Sequence, residues 1–243
     1  KTVKKADNYK GYNSVYYSQW IEQINNYFSP KDYEINDFQV QKRQNPIIEV
    51  SIVILNAQEN LDFIHRSAKS ALGQTFQNLE VILVDYSQKI NSKLEYPVRL
   101  IQMSNQGMLA ARRVGTFEAR GKYVIFIEAG DQFYSQNIVD EAVETQKYSN
   151  VDVVHFRSLS FSNRKLSEMN INKPVLERIN DTRIIQQILS ENVLIYGKLW
   201  LTSQVLKAFA IIGDDIDYVK SDHFLVTNLL GVIVNSYWVF HIQ

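Results

Sequence analysis

The sequence contains no cysteine, which excludes disulfide bonds and every thiolate-based metal or catalytic site. Its four histidines are scattered and do not suggest a zinc pair: His65, His155, His223 and His241. No sign of charge is in excess, because 26 Lys and Arg balance 26 Asp and Glu. The composition therefore favours neither nucleic acid nor an anionic membrane as a partner. From the missing cysteines we expect a reducing compartment and a cytoplasmic protein.

Long apolar runs are scarce as well. The one uncharged stretch that approaches the roughly twenty residues of a membrane span is Phe224 to Gln243, and polar residues or glycine interrupt it at Asn228, Gly231, Asn235 and Ser236. We interpret this stretch as a helix followed by a strand and expect no membrane span. Dinucleotide-binding, P-loop, zinc-protease and nucleophile-elbow motifs are also missing from the sequence, so those enzyme classes gain no support.

Residues 1–45 differ from the rest of the chain and are predicted to form an N-terminal extension. It contains a predicted helix that begins near Asn13 or Ser14, ends at Ser29-Pro30 and has an aromatic face: Tyr16, Tyr17, Trp20, Ile21, Ile24, Tyr27 and Phe28. Two interpretations stay open. The face packs against its own domain, or it docks into a protein partner through Tyr16, Trp20, Ile24 and Tyr27.

From Ile47 onward, apolar strands alternate with amphipathic helices, as in an α/β domain with a mainly parallel sheet. Four buried strands are predicted at Glu49 to Leu55, Leu79 to Asp85, Val98 to Gln102 and Tyr123 to Ile127. After a further strand at Val151 to Phe156, we expect a loop-rich stretch to Asn180, then three helices and a final strand. Ligands bind at the carboxyl ends of parallel strands, so the site is expected in the loops that follow them.

Three segments carry a resemblance to a known family. Asn105 to Gly115 reads N-Q-G-x-x-x-A-R-x-x-G, Gly121 to Ile127 reads G-x-Y-V-x-F-I, and Ser70 to Phe76 reads S-x-L-x-Q-T-F. Together they resemble family 2 glycosyltransferases of the GT-A fold. The resemblance implies a mainly parallel, twisted sheet flanked by helices over residues 46–243, with a nucleotide-binding half at 46–150 and an acceptor-side half at 151–243.

The resemblance also implies a mechanism. A nucleotide-sugar lies over the strand ends, a D-x-D motif holds Mn²⁺ or Mg²⁺ on its diphosphate, and a later carboxylate deprotonates the acceptor hydroxyl. Carried over to this chain, Asp85 contacts the nucleotide base, and Glu128 and Asp131 lie near the diphosphate. Asp131 is the remaining candidate metal ligand, and Asp222 is the candidate catalytic base.

Each of these motifs departs from the family pattern. V-D-D-G-S is Val84-Asp85-Tyr86-Ser87-Gln88 here, and D-S-D-D is Glu128-Ala129-Gly130-Asp131, in which the usual metal-ligating Asp has become Gly130. The P-x-Y-N-like loop that ends the family's first strand is Leu55-Asn56-Ala57-Gln58-Glu59 here, without the Pro and the Tyr. The E-D pair that the family has near the C-terminus is Ser221-Asp222. We therefore expect a catalytically impaired pseudoenzyme that acts as a structural or binding component of a larger assembly.

The alternative is an active inverting glycosyltransferase that moves a sugar from a nucleotide-sugar to a hydroxyl group. In a metal-independent form of this alternative, Arg112, Arg113 or Lys198 supplies the positive charge that a cation otherwise brings, because Arg binds phosphate oxygens in a bidentate manner. In the simpler interpretation, Arg112 contacts a strand-end carboxylate and Arg113 is solvated.

Overall fold

The structure is a computed structural model. It describes residues 48–57, 61–87, 90, 94, 96–104, 107–156, 159–162, 165–168, 178–191, 195–212 and 222–240. The N-terminal extension, with its predicted aromatic helix and partner surface at Tyr16, Trp20, Ile24 and Tyr27, lies outside the described residues. The division at residues 45 and 46 therefore stays a prediction.

Six helices and ten strands make up the described part of the chain. The strands are β1 (Val50–Asn56), β2 (Leu79–Asp85), β3 (Arg99–Gln102), β4 (Tyr123–Glu128), β5 (Val153–Phe156), β6 (Leu159–Ser162), β7 (Lys165–Glu168), β8 (Arg178–Ile179), β9 (Lys198–Leu201) and β10 (Tyr237–Phe240). The helices are α1 (Leu61–Leu72), α2 (Gly107–Glu118), α3 (Ile138–Ser149), α4 (Thr182–Glu191), α5 (Thr202–Ile212) and α6 (Asp222–Ile233).

Eight of these strands form one sheet in the order β3-β2-β1-β4-β9-β5-β10-β8, while β6 and β7 form a separate antiparallel pair. The first four strands are parallel, as the apolar runs predict. Beyond β4 the sheet is mixed, because β9 is antiparallel to both β4 and β5 and β10 is antiparallel to β8. The fold is thus an α/β sheet flanked by helices.

Helices cover both faces of the sheet. On one face, α1 and α3 pack against side chains such as Ile52, Ile125 and Leu83. On the other face, α2 lies so close to β1 and β2 that a Cβ atom on Gly115 would come within 2.4 Å of a Val53 methyl group and 3.2 Å of a Val84 methyl group. The last glycine of the N-Q-G-x-x-x-A-R-x-x-G segment therefore permits the close packing of helix on sheet.

The C-terminal stretch is helix α6 followed by strand β10, as predicted. Within the described ranges, no helix combines the length and the apolar character that crossing a membrane requires. The expectation of a loop-rich region between Ser158 and Asn180 was wrong in part, because β6, β7 and β8 lie there. These strands are only two to four residues long, and such short strands carry little hydrophobic periodicity.

Gln74 joins the ends of two helices. Its buried side chain donates Nε2–H to the carbonyl oxygens of Ser135 (2.9 Å) and Ser70 (3.3 Å), and its Oε1 accepts from the Val139 N–H (3.2 Å). The first of these bonds reaches the segment before α3 and the second the last turn of α1. The Q of the S-x-L-x-Q-T-F segment is thus a structural residue.

We expect Gln74→Ala to lower the free energy of unfolding by about 2 to 3 kcal/mol, because it removes the bond to the buried Val139 N–H and the bonds to two partly buried carbonyl oxygens. Urea denaturation measures the loss. Gln77→Ala is the matched control, since Gln77 is exposed and bonds locally to the Thr75 carbonyl (2.8 Å), and it should change stability by less than about 0.5 kcal/mol. Equal effects of the two substitutions would contradict this role of Gln74.

Candidate functional site

The carboxyl ends of β1, β2 and β4 lie side by side. In the strand register, Asn56 of β1 lies opposite Asp85 of β2, and Leu55 of β1 lies opposite Glu128 of β4. Two acidic residues that the sequence singles out, Asp85 and Glu128, therefore lie at one edge of the sheet with β1 between them. Strands are about 4.8 Å apart, so the main chains of these two residues are about 10 Å apart.

Asp85 is fully buried at this edge. Its Oδ1 accepts hydrogen bonds from Asn56 Nδ2 (2.9 Å), the Ser87 N–H (3.1 Å) and Ser87 Oγ (2.5 Å). Its Oδ2 is also buried and, among the described residues, has no hydrogen-bond partner. Buried carboxylate oxygens are normally bonded, so Oδ2 is an acceptor that the described part of the chain leaves open for a donor.

The loop after β4 replaces the D-S-D-D segment. Gly130 has a φ of +110°, a conformation that favours glycine, and its N–H donates to Ser67 Oγ (2.9 Å). Ser67 Oγ in turn donates to the Asp131 carbonyl (2.6 Å). The loop is therefore anchored to α1 by Ser67, and at the usual metal-ligating position it offers no side chain.

Asp131 points back toward its own loop. Its Oδ2 accepts from the Glu128 N–H (3.0 Å), and the Asp131 N–H donates to the Glu128 carbonyl (2.9 Å). Although the residue as a whole is exposed, partial desolvation of the carboxyl group raises its pKa, the Glu128 N–H opposes this, and the nearby Glu128 charge adds to it. The candidate metal ligand is thus already bonded to the main chain.

Glu128 is contacted from the later half of the chain. The Tyr196 hydroxyl donates to Glu128 Oε1, and it accepts from Nη2 of the fully buried Arg112 (3.0 Å). The Arg112 guanidinium carbon also lies 5.6 Å from the centre of the Tyr196 ring. A hydrogen-bonded chain therefore runs from α2 through Tyr196 to the end of β4.

Lys198 of β9 and His155 of β5 are two buried polar residues on neighbouring strands. The two residues lie opposite each other in the β5–β9 register. Lys198 Nζ donates to the Tyr196 carbonyl (3.3 Å), and burial lowers the pKa of Lys198 to about 7. His155 Nδ1 and the Tyr237 hydroxyl are 2.6 Å apart. Lys198 is therefore a buried residue whose amine is bonded to the main chain of Tyr196.

The structure says less about the positions of the other two predicted site residues, Arg113 and Asp222. Arg113 is half-buried rather than solvated, with its guanidinium carbon 5.6 Å from the centre of the Phe117 ring. Asp222 begins α6, but its side chain is not among those described. Described contacts thus place Asp85, Arg112 and Glu128 at the strand edge. The functional roles of all the predicted site residues stay predictions.

Sequence reasoning missed three side chains of this edge. Asn56 and Ser87 hold Asp85, and a signal for them existed, because both are polar residues next to the end of a parallel strand. Tyr196 lies 68 residues after Glu128 in the sequence, and no local pattern predicts that contact.

Comparison with known proteins fits this geometry. The sequence profile described as glycosyl transferase family 2 matches residues 51–207, which include β2, β4, β9 and all of β1 except its first residue. The chain belongs to glycosyl transferase family 2. The match extends over the strand edge that holds Asp85 and Glu128 and over the Tyr196 segment.

Curated relatives of this family-2 chain are glycosyltransferases. It is 29% identical over 117 residues to the uncharacterized glycosyltransferase EpsJ of Bacillus subtilis, an alignment that covers 45% of the chain and 33% of EpsJ. It is 26% identical over 177 residues to the glycosyltransferase GlyA of Streptococcus pneumoniae, covering 68% of the chain and 23% of GlyA. The chain thus spans a third or less of the length of these two relatives.

Solved structures share the fold. Residues 1–349 of S. aureus TarS match with a TM-score of 0.61 at 18% identity, over 81% of this chain and 59% of that one. The mannosyltransferase PcManGT of Pyrobaculum calidifontis, solved with GDP-Man and Mn²⁺, matches with a TM-score of 0.50 at 12% identity, over 84% and 61%. This family-2 chain therefore has the GT-A fold.

The donor set of the edge fits the family's divalent cation poorly. Oxygen ligands are the right chemistry for Mg²⁺ or Mn²⁺, but Gly130 offers none and Asp131 is bonded to the Glu128 N–H. Among the described residues, no three His, Cys, Asp or Glu side chains are grouped so that they hold a metal ion.

Proposed function

We propose that this family-2 domain binds a nucleotide-sugar or nucleoside diphosphate at the strand edge and is impaired in metal-dependent glycosyl transfer. The base lies at Asp85 and the diphosphate extends toward Glu128. The binding part of the proposal depends on the contacts of Asp85, which stands at the family's base-binding position. The impairment part depends on the contacts of the Glu128 to Asp131 loop, in which the metal motif is altered.

Asp85 Oδ2, which no donor among the described residues satisfies, supports the binding part. A buried acceptor without a donor destabilises the domain, and an N–H group of a pyrimidine or purine base supplies the missing bond. Because Asp85 is fully buried, the ligand reaches Oδ2 only after the groups that cover this oxygen move aside. TarS, which shares the fold, has been solved with UDP and with UDP-GlcNAc, which makes UDP a reasonable first probe.

The Glu128 to Asp131 loop supports the impairment part. Glu128 accepts from Tyr196, Asp131 accepts from the Glu128 N–H, and the Gly130 N–H is bonded to Ser67. These groups are engaged within the protein rather than directed at a shared cation. A leaving diphosphate develops charge that such a loop neutralises poorly without further donors.

Thermal unfolding with UDP, GDP and their sugars, with and without Mn²⁺, tests the proposal. A ligand at about a hundred times its Kd adds about 2.7 kcal/mol, which raises the Tm of a domain of this size by about 5 to 10 °C. We expect one nucleotide to give such a shift and Mn²⁺ to add little to it.

Asp85→Asn should remove the shift, because the amide then presents N–H groups where the ligand also has one. Asp140→Asn, which changes an exposed acid of α3, is the matched control and should keep it. If no nucleotide shifts the Tm, the binding part is wrong. If Mn²⁺ is required for the shift, the impairment part is wrong.

The second candidate function is active inverting transfer with Asp222 as the general base. Its support is the position of Asp222 at the start of α6, at the place of the family's acidic pair. The test is release of UDP from a UDP-sugar in the presence of an acceptor. This candidate is favoured if the wild-type protein releases UDP and Asp222→Asn does not, while Asp222→Asn still binds UDP.

A further inference from the structure

Tyr196 connects two charged groups at the strand edge. Its hydroxyl accepts from Arg112 Nη2 (3.0 Å) and donates to Glu128 Oε1. The residue is also held at its main chain, because Lys198 Nζ donates to its carbonyl (3.3 Å) and Gly197, with a φ of +67°, follows it. The position of the hydroxyl is therefore set by α2, β4 and β9 together.

The hydroxyl remains a donor throughout the physiological pH range. Burial is the largest cause of a raised Tyr196 pKa; the Arg112 charge lowers it, and the Glu128 charge raises it further. Hydrogen bonds in such a chain polarise one another, so the Arg112 N–H makes the phenol a better donor to Glu128. Part of the negative charge of Glu128 is thereby compensated by Arg112 and Tyr196 without a metal cation.

This compensation matters for an anionic ligand. The main chains of Glu128 and Asp85 are about 10 Å apart across β1, a span that a nucleoside diphosphate bridges when its base is at Asp85. A carboxylate near a diphosphate repels it, and the repulsion is stronger in a partly buried site. A hydrogen bond donated to Glu128 therefore lowers the free-energy cost of placing a phosphate group near Glu128.

We propose that Tyr196 is a positioning residue for the diphosphate: it holds Glu128 and compensates its charge, so that the strand edge accepts a nucleoside diphosphate without a divalent cation. The proposal rests on the proposed function, because it requires a nucleotide at Asp85. Under this proposal, the segment before β9 helps to bind a nucleotide whose base lies at Asp85, in the other half of the domain.

Calorimetry in metal-free buffer with UDP and with uridine tests the proposal. We expect Tyr196→Phe to weaken UDP binding about threefold to tenfold and to leave uridine binding within twofold. A general structural defect would weaken both ligands equally and would overturn the proposal, as would unchanged UDP binding. If the wild-type protein binds neither ligand, the proposed function fails and this proposal fails with it.

A double-mutant cycle with Glu128→Gln separates the action through Glu128 from other actions of Tyr196. Glu128→Gln alone removes the repelling charge and should strengthen UDP binding relative to uridine. In that background, Tyr196→Phe should change UDP binding less than twofold. A loss as large as in the wild type would overturn the proposal. If Tyr196→Phe does not fold, the UDP-to-uridine ratio of Glu128→Gln decides, and an unchanged ratio contradicts it.

Discussion

Lys198→Met is expected to raise the free energy of unfolding at pH 7. It should also remove most of the increase in the free energy of unfolding that the wild-type protein shows between pH 7 and pH 10. Burial lowers the pKa of Lys198 from 10.5 to about 7, so the folded state disfavours the charged amine that the unfolded chain keeps. Between these two pKa values the unfolded state binds more protons, and stability therefore rises with pH. Below pH 7 the full cost of burying the charge remains.

The size of this effect has an upper limit. At about 1.4 kcal/mol per pKa unit, the shift of Lys198 limits the rise to about 5 kcal/mol. Above pH 10 the half-buried Tyr196 and the buried Tyr237 act in the opposite direction, because their raised pKa values keep them protonated in the folded state while the unfolded chain loses protons. The window for the Lys198 effect is therefore pH 7 to 10.

Urea denaturation at one-unit intervals from pH 6 to pH 10 measures the profile. Lys207→Met, on the partly exposed Lys207 of α5, is the matched control and should leave the slope unchanged. A flat wild-type profile, or a rise that persists in Lys198→Met, would show that the buried amine does not determine the pH dependence.

Gly121→Ala is expected to lower the free energy of unfolding by about 3 kcal/mol, or to prevent folding. A Cβ atom at residue 121 would lie 2.6 Å from the Ser51 nitrogen, 2.7 Å from the Val50 carbonyl carbon and 2.8 Å from the Tyr123 carbonyl oxygen. All three atoms belong to the main chain of β1 or β4, so no side-chain rotation relieves the contact. The Gly121 N–H also donates to Ser51 Oγ (2.8 Å).

Gly231→Ala is the control for this substitution. A Cβ atom there meets its nearest neighbour, Gln186 Cα of α4, at 3.5 Å, which is an ordinary van der Waals contact between α6 and α4. Because alanine favours the helix, we expect this variant to be unchanged or stabilised by up to about 1 kcal/mol. Urea denaturation of both variants tests the comparison, and a Gly121→Ala protein as stable as Gly231→Ala would refute the close approach at Gly121.

The first half of the fold was predictable from the sequence for a physical reason. Parallel strands covered on both faces need continuous apolar runs, and the predicted Leu79 to Asp85 matches β2 in full. Strand β9 was missed because it begins with Lys198, and a fully buried lysine is rare enough that the pattern indicates a loop. Its place between β4 and β5 depends on the tertiary structure.

The candidate site was predictable where strand ends define it. Asp85 and Glu128 both end parallel strands, and the structure brings them to one edge. Tyr196 was missed because its contacts with Arg112 and Glu128 join segments 84 and 68 residues apart. Such contacts follow from the packing of the two halves and have no local sequence signal.

The position of β9 also limits the order in which the domain can assemble. Strands β4 and β5 do not pair with each other, since residues 198–201, made later in synthesis, lie between them. Until those residues leave the ribosome, the nascent chain has an unpaired edge on β4 and another on β5. Unpaired edges invite pairing with other chains, so the nascent domain is open to aggregation during this interval of synthesis.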